Sequence, residues 1–447
     1  MTTVAELLVE ALAEHGVTQV WGVVGDALNP VTDAIRREDR IEWIGVRHEE
    51  VAAFAAGAQA QLTGRLGVCM GTVGPGAIHL LNGLYDAKKS HAPVLAICGQ
   101  VPRAEMGTEF FQEVDNDAVF ANVAVFNQSV TSVDQLPGPI QQAGNAALQS
   151  QGVAVLTLPG DVGGLDLPKH TPVPRFVTPT TLGVPVTESL QASADAINSA
   201  GSVTLLVGQG ARAARSEVLE LASLLSAPMV LSLKAKEGLE DDNSFEVGQS
   251  GLLGNGATKI ALEGCDVLIM IGTDFPYREF LPTGKTVIQL DSRGSHIGRR
   301  TPVQHALIGD ARWGLLALLP MLRPKEDQSL LEKARSSYAA WQERQQQFTD
   351  PAYDEKPVGL LRRKVDNRRS RVRPELLAAM IDRHADHDAI FTTDTGMSTV
   401  WLSRFVRMTG SPRLLGSFNL GSMAKRHAPG PGRVRAGPVK ASHRLLR

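Results

Sequence analysis

The chain has 447 residues, of which 43% are hydrophobic and 21% are charged, a composition typical of a folded globular protein and not of a disordered one. This length predicts two or three domains. The formal net charge is −2, yet residues 425–447 hold seven Lys or Arg and no acid, which leaves −9 on the remainder and argues against nucleic-acid binding.

Cysteine usage and hydropathy indicate the cellular compartment of the protein. Cys69, Cys98 and Cys265 lie in apolar runs without a Cys-x-x-Cys pair, which predicts buried thiols and neither a disulfide nor a zinc site. The sequence starts without a signal-peptide pattern and has no apolar run close to the roughly 18 residues that span a bilayer. We therefore expect a cytoplasmic protein and leave open peripheral attachment to the inner face of a membrane.

The first 160 residues alternate strand-like runs with helical stripes, which predicts a parallel sheet covered by helices. Ligands of such sheets bind at the carboxyl ends of the strands. The predicted elements are, in chain order, a helix capped by Thr3 that ends near Gly16, a strand 19–24, a helix 31–37, a strand 41–46, a helix 49–61, a strand 66–71, a Gly74-Pro75-Gly76 turn into another helix, and a strand 93–98.

Two further α/β units are predicted, which makes the fold class α/β, with doubly wound parallel sheets in consecutive Rossmann-like domains and the third incomplete. A Pro/Thr-rich stretch, 165–185, and a charged stretch, 350–373, separate them, and we interpret the second stretch as a solvated linker. The predicted elements of the second unit are strands 202–207, 228–233, 266–272 and 286–291 and a helix 311–322, and those of the third are a helix 374–384 and a strand 389–393.

The motif Arg47-His48-Glu49-Glu50 lies where a predicted strand turns into a helix. Taken alone it means little, because the helix macrodipole favours an acid in the first turn. Read with four other ordered motifs, it resembles the pyrimidine-binding domain of the thiamine-diphosphate enzymes of the pyruvate oxidase and acetolactate synthase group. The other motifs are Gly22–Asp26, Gly71–Gly76, Asn82–Asp86 and Phe111–Glu113.

The resemblance assigns roles in the first domain, 1–164. It implies that Glu49 hydrogen-bonds the aminopyrimidine ring of thiamine diphosphate and promotes loss of the C2 proton. It implies that Gly25 approaches the cofactor. It also implies that Phe111 and Gln112 shape the substrate pocket across a dimer interface.

The resemblance continues into the central domain, 186–325, whose segments look like the FAD-binding segments of bacterial pyruvate oxidase, the quinone-linked pyruvate dehydrogenase. Arg278 would neutralise an FAD phosphate and Asp291 would accept hydrogen bonds from ribose. The turn Gly208-Gln209-Gly210 is weak evidence, because ordinary tight turns share it. The segments implied to hold FAD are Gly251, Leu252, Leu253 and Gly254, then Thr273, Asp274, Phe275, Pro276, Tyr277 and Arg278, and Asp291.

The third domain, 371–424, is implied to hold the diphosphate half of the cofactor. Gly396 would bring backbone donors towards the diphosphate, Gly421 and Ser422 would contact the aminopyrimidine, and Met423 would wedge under the cofactor. The family then continues to a Gly-Asp-Gly motif and an asparagine that hold Mg²⁺. This chain has Gly-Asp only at positions 25, 160 and 309, none followed by Gly, so we expect the protein ligands of Mg²⁺ to be missing and 425–447 to form an aberrant, disordered basic tail.

The resemblance implies a thiamine-diphosphate-, Mg²⁺- and FAD-dependent enzyme that decarboxylates pyruvate or a related 2-oxo acid and passes electrons to quinone, as a homodimer or homotetramer. Two alternatives stay open. One is a carboligase like acetolactate synthase, which carries FAD without using its redox chemistry. The other is a non-catalytic remnant that retains FAD or subunit binding, because the altered tail predicts impaired catalysis and a poorly stable third domain.

Overall fold

The computed structural model describes residues 2–178, 183–365 and 372–423. The predicted tail 425–447 lies outside the described residues. Two compact units group these residues. The first holds 2–178, 393–395 and 415–423, and the second holds 183–365, 372–392 and 396–414. The predicted domain boundaries are not tested by this division and stay predictions.

The first unit contains a six-stranded parallel sheet with the strand order β2-β1-β3-β4-β6-β5. The chain runs from β1 to β2 on one side and then returns to β3 on the other side of β1, so the order reverses between β1 and β3. The strands are β1 (Gln19–Gly22), β2 (Glu42–Gly45), β3 (Gly67–Gly71), β4 (Val94–Gln100), β5 (Ala124–Ser129) and β6 (Val153–Pro159).

Helices cover both faces of this sheet. Alternate residues of β4 belong to different apolar clusters, with Leu95 and Ile97 on one face and Val94 and Ala96 on the other. A strand buried on both faces must be apolar at almost every position, which explains its continuous apolar run. The helices are α1 (Val4–Glu14), α2 (Asn29–Arg37), α3 (Glu49–Thr63), α4 (Pro75–His79), α5 (Leu81–Lys89), α6 (Asn116–Phe120) and α7 (Gly138–Ser150).

The second unit contains a second six-stranded parallel sheet, with the order β12-β11-β10-β7-β8-β9. Its order reverses between β7 and β10, the counterpart of the reversal in the first sheet. The strands are β7 (Val203–Val207), β8 (Met229–Leu231), β9 (Glu246–Gln249), β10 (Val267–Ile271), β11 (Thr286–Asp291) and β12 (His305–Ile308).

Helices also cover both faces of the second sheet, because its buried residues form two separate clusters. The doubly wound α/β class predicted from the sequence is therefore confirmed. The helices that follow in the chain are α8 (Thr187–Ser199), α9 (Arg215–Leu224), α10 (Lys236–Leu239), α11 (Gly256–Gly264), α12 (Ala311–Leu318), α13 (Ser329–Gln347) and α14 (Pro357–Val365).

Residues 374–416 contain a third, small sheet. Two strands form a two-stranded sheet and two helices accompany them, which is the small third element that the sequence predicts. The elements are α15 (Pro374–His384), β13 (Ile390–Thr393), α16 (Met397–Phe405) and β14 (Arg413–Gly416).

Most of the described residues of 350–373 are exposed, as expected of a solvated segment, but the stretch is partly helical and Arg373 is not exposed. A short 3-10 turn, Pro351–Glu355, leads into α14. Arg373 is buried, and its guanidinium donates to the carbonyl of Phe348 at 2.7 Å and contacts the ring of Tyr353. The arginines of this stretch suggested solvent exposure, but one of them satisfies backbone carbonyls instead.

A buried polar chain joins β1 to α3. The Trp21 indole N–H donates to the Gln59 carbonyl at 3.0 Å, and the Gln59 amide donates to the Gln19 carbonyl at 3.0 Å. These groups leave water on folding, so each needs its partner.

We predict that Gln59→Leu lowers the free energy of unfolding by about 1–3 kcal/mol, because it leaves the Trp21 N–H buried without an acceptor. Urea denaturation measures this change. In the double variant with Trp21→Phe, the orphaned donor is gone, so the loss should be smaller than the sum of the two single losses. An additive double variant would contradict the account.

Glu246 carries an unusual proton affinity. It lies on β9, and its carboxyl accepts a hydrogen bond of 3.1 Å from the hydroxyl of Tyr338 on α13. Burial, with repulsion from Glu240, raises the pKa of Glu246 from 4.5 to about 8, although Lys236 opposes the rise. Between pH 4.5 and about 8, the folded protein therefore keeps a proton on Glu246 that the unfolded chain releases.

We predict that this proton makes stability fall as the pH rises from 4.5 to about 8, because the folded state binds more protons than the unfolded state throughout that window. One such proton contributes a slope of at most about 1.4 kcal/mol per pH unit. Glu246→Gln should flatten the dependence in urea denaturation series, whereas the exposed control Glu263→Gln on α11 should keep it. An unchanged slope in Glu246→Gln would count against the assignment.

Candidate functional site

The strand order reverses between β1 and β3, and doubly wound sheets bind ligands in the crevice expected at the carboxyl ends of the strands at such a point. Gly25 follows β1, and Thr72 follows β3. A Cβ atom on Gly25 would lie 2.3 Å from the Cβ atom of Thr72, so only glycine fits there. The predicted residue Gly25 therefore lies at this crevice and lets the two turns come together.

Glu49 opens α3 beside the same turn. Its side chain is buried, with the residue 8% exposed. His48 caps the helix, and its Nδ1 accepts a hydrogen bond from the backbone N–H of Glu50 at 3.2 Å. The helix N-terminus stabilises a carboxylate at this position, so the local sequence explains how Glu49 is held.

Gly76 brings the turn after β3 next to that carboxylate. A Cβ atom on Gly76 would lie 2.8 Å from Cγ2 of Thr72 and 3.4 Å from Oε1 of Glu49. The Thr72 hydroxyl is buried and has no hydrogen-bond partner among the described residues. Buried polar groups without a partner are rare and point to a ligand or water. The turn at Gly76 therefore has a carboxylate and an unpartnered hydroxyl next to it.

His79 was missed by the sequence analysis. It ends α4, and its Nδ1 lies 3.0 Å from Oε2 of Glu49. Its ring stacks on that of His48, with the ring centroids 4.4 Å apart. The only signal in the sequence was its position, three residues after the Gly74-Pro75-Gly76 turn and before the motif Asn82–Asp86. His79 is exposed, so it connects the buried carboxylate to the surface.

Phe111 and Gln112 lie in the loop after β4. Gln112 adopts a left-handed backbone with a φ of 66°. Its carbonyl oxygen would be 2.7 Å from a Cβ atom on Gly74, so the loop contacts the turn after β3. The side chain of Phe111 is 79% exposed. The structure thus brings Gln112 to the turn that borders Glu49 and leaves the Phe111 ring at the surface.

The segment 415–423 groups with the first unit. The amide of Asn82 on α5 donates to the Ser422 hydroxyl at 2.9 Å and also to the carboxylate of Glu50. The Ser422 N–H donates to the Ser417 hydroxyl at 3.0 Å. Asn82 therefore connects the first turn of α3 to the predicted residue Ser422.

The remaining predicted residues of the third domain have open space around them. Met423, the predicted wedge, is 77% exposed. Gly421 has a φ of 80° and Gly396 a φ of 143°, values that favour glycine, and an added Cβ atom at either would meet no described atom within 4 Å. Their conformations fit backbone that faces a ligand, and their roles stay predictions.

The second sheet has its own reversal, between β7 and β10, and glycines meet there too. A Cβ atom on Gly208 would lie 2.2 Å from the carbonyl oxygen of Gly272, and one on Gly210 would lie 3.0 Å from the same oxygen. A Cβ atom on Gly251 would lie 2.7 Å from the Tyr277 ring. Contacts within the chain thus account for these glycines.

Charged residues gather at the carboxyl ends of β10 and β11. Nδ1 of His296 lies 3.3 Å from Oδ1 of Asp274 and 3.8 Å from Oδ2 of Asp291. The Asp291 carboxylate accepts the backbone N–H of Arg293 at 2.9 Å. Burial lowers the pKa of the Arg293 guanidinium, although both carboxylates oppose this effect. The predicted ribose acceptor Asp291 is therefore already engaged within the chain.

The other residues implied to hold FAD divide into buried and exposed groups. Thr273 and Phe275 are buried, and the Thr273 hydroxyl accepts the backbone N–H of Phe275 at 3.2 Å. The exposed members can reach a ligand, whereas the half-buried members line the turns. Exposed are Leu252, Pro276 and Arg278, and half-buried are Leu253, Gly254, Asp274 and Tyr277.

Comparison with known proteins identifies the class. The N-terminal TPP binding domain of thiamine pyrophosphate enzymes matches residues 2–119, and the central domain of these enzymes matches residues 190–318. The chain belongs to the thiamine pyrophosphate enzyme family. Membership supports thiamine diphosphate as cofactor and the conversion of 2-oxo acids as the kind of reaction.

Three relatives show how far the similarity extends. YdaP of Bacillus subtilis strain 168, provisionally described as a thiamine pyrophosphate-containing protein, is 37% identical over 94% of this chain and 71% of its own length. Pyruvate oxidase of Lactiplantibacillus plantarum is 30% identical over 91% of this chain and 66% of its own length. Acetolactate synthase of Mycobacterium bovis is 30% identical over 94% and 68%.

Among the residues that the structure describes, none of the helices has both the length and the apolar character needed to cross a membrane.

Proposed function

We propose that the protein acts as a thiamine-diphosphate-dependent decarboxylase of pyruvate, which it oxidises to acetate and CO₂. Water supplies the added oxygen, and two electrons pass through FAD to a quinone, which becomes a quinol. The observation that carries the proposal is the buried Glu49 carboxylate and the unpartnered Thr72 hydroxyl, both next to Gly76 where glycines let two turns approach closely. That arrangement can hold and activate an aminopyrimidine.

Bound thiamine diphosphate supplies the nucleophilic carbon and the electron sink that loss of CO₂ from a 2-oxo acid requires. Glu49 is proposed to hold the aminopyrimidine by a hydrogen bond and to move a proton at its ring nitrogen. Thr72 would satisfy its buried hydroxyl on the same ring edge. His79, at 3.0 Å from Glu49, would pass that proton towards solvent.

FAD is the second proposed cofactor. Support comes from the resemblance of 251–254, 272–278 and 289–291 and from their place near the strand reversal of the second sheet. Arg278 is exposed and free to reach a phosphate, as proposed. The glycines of these segments and Asp291 also have partners within the chain.

Mg²⁺ enters the proposal as the ion that bridges the diphosphate in this family. In the family, a Gly-Asp-Gly motif and an asparagine hold that ion, and such a motif is not among these 447 residues. A non-catalytic protein that retains FAD or subunit binding is kept as the alternative. A homodimer or homotetramer is proposed with either function.

Acetolactate synthase is the competing catalytic assignment, since the synthase of Mycobacterium bovis matches this chain at the same identity as the oxidase. The run from Phe275 to Arg278 resembles the oxidase and favours the first proposal.

We predict that Glu49→Gln slows exchange of the C2 proton of bound thiamine diphosphate by about 10²-fold or more, because general acid–base catalysis contributes that much. Quenched deuterium exchange followed by NMR measures the rate without any substrate. Glu10→Gln on α1 makes the same change of charge far from the crevice and should exchange at the parent rate. Unaltered exchange in Glu49→Gln would remove the basis of the proposal.

A second prediction separates the two catalytic assignments. The purified protein should carry flavin absorbance, and anaerobic pyruvate should bleach it, because an oxidase reduces its flavin whereas a carboligase leaves it oxidised. Arg278→Ala should lower flavin content, and the half-buried control Arg300→Ala should not. Bound flavin that pyruvate does not bleach would favour the carboligase, and flavin without C2 proton exchange would favour the remnant.

A further inference from the structure

The loop that carries Phe111 and Gln112 has an improbable backbone. Three of its residues adopt left-handed conformations: Gly107 with a φ of 83°, Glu109 with a φ of 58° and Gln112 with a φ of 66°. A side chain destabilises this region through its Cβ atom, so Glu109 and Gln112 are strained. Such conformations persist where neighbouring contacts hold them in place.

The side chain of Glu113 supplies contacts of that kind. Its carboxylate accepts the backbone N–H of Gly107 through Oε1 and that of Phe110 through Oε2, the latter at 3.2 Å. Its own backbone N–H donates to the Phe110 carbonyl at 2.8 Å. One residue therefore ties the end of the loop to two points nearer its start, across the left-handed Glu109.

Contacts with β4 and with the turn after β3 fix the position of the loop 107–113. The amide of Gln100, at the end of β4, donates to the Val114 carbonyl at 2.6 Å. On the other side, the Gln112 carbonyl meets Gly74, which has no room for a Cβ atom and itself has a φ of 61°. The turn that contains Gly74 continues to Gly76, which borders Glu49. The turn 74–76 therefore connects the position of the loop that carries Gln112 to the position of the Glu49 carboxylate.

From these contacts we infer that Glu113 is a positioning residue: it clamps the loop 107–113 so that Phe111 and Gln112 are presented at a fixed distance from the Glu49 crevice. The inference rests on the proposed function, in which these two side chains face the 2-oxo acid. Glu113 itself touches backbone only. Loosening the clamp should therefore change how substrate is held and selected and leave the proton chemistry at Glu49 unaltered.

The first experiment measures the clamp directly, with no substrate present. In hydrogen–deuterium exchange of the full chain with residue resolution, the amides of Gly107 and Phe110 should exchange about tenfold faster in Glu113→Ala, because both lose a charged acceptor. Glu113→Gln keeps an acceptor oxygen and should give an intermediate rate. Glu109→Gln removes a charge from the same loop without removing either hydrogen bond and should match the parent.

The second experiment measures the consequence. In Glu113→Gln, the KM for pyruvate should rise about tenfold with a smaller change in kcat, and discrimination between pyruvate and 2-oxobutanoate should weaken. Exchange of the C2 proton of bound thiamine diphosphate should stay at the parent rate in the same variant. That combination separates a role in substrate positioning from damage to Glu49.

Several results would overturn the inference. Amide exchange that is unchanged in Glu113→Ala would show that the clamp does not exist. Faster amide exchange with unchanged KM and selectivity would reduce Glu113 to a structural brace. A parent chain that neither exchanges the C2 proton nor converts pyruvate would contradict the proposed function instead, and amide exchange alone would then decide whether Glu113 clamps the loop.

Discussion

The close approach of two backbone turns, after β1 and after β3, is the constraint on which the candidate site depends. Gly25 and Gly76 both lie so close to the side chain of Thr72 that neither has room for a Cβ atom. The same turn brings the Glu49 carboxylate alongside. Sheet topology makes this possible, because the strand order reverses at this point and leaves a crevice between neighbouring strands. A buried carboxylate and a buried hydroxyl without a hydrogen-bond partner among the described residues then lie next to the same turn.

The second sheet uses the same topology with a different outcome. Gly208 and Gly272 meet where its strand order reverses, yet their close contact is backbone against backbone. Asp291 nearby is engaged by the N–H of Arg293 and lies close to His296. At the first reversal a buried hydroxyl thus has no partner among the described residues, whereas at the second Asp291 and the glycines already make contacts within the chain. This difference is why thiamine diphosphate has the stronger physical support of the two cofactors proposed.

The sequence predicted β3 and β4, which are buried on both faces and apolar at nearly every position, but it did not predict β6, whose seven residues are all buried as well. It did not predict β5, an edge strand whose six residues include Asn127, Gln128 and Ser129. Motif order located Glu49 and the turn at Gly74, but not the contact of Glu49 with His79, 30 residues away, because that contact depends on where α4 ends. The clamp at Glu113 depends on left-handed residues, which a sequence pattern does not reveal.

A crystal structure of the protein soaked with thiamine diphosphate would test the central claim most directly, since it locates the ring without relying on turnover. The account predicts that the aminopyrimidine lies in the crevice between β1 and β3. A ring nitrogen should then lie roughly 2.6–3.2 Å from a Glu49 carboxylate oxygen, and the Thr72 hydroxyl should gain a partner. A cofactor bound elsewhere, or bound here with Glu49 turned away from the ring, would contradict it.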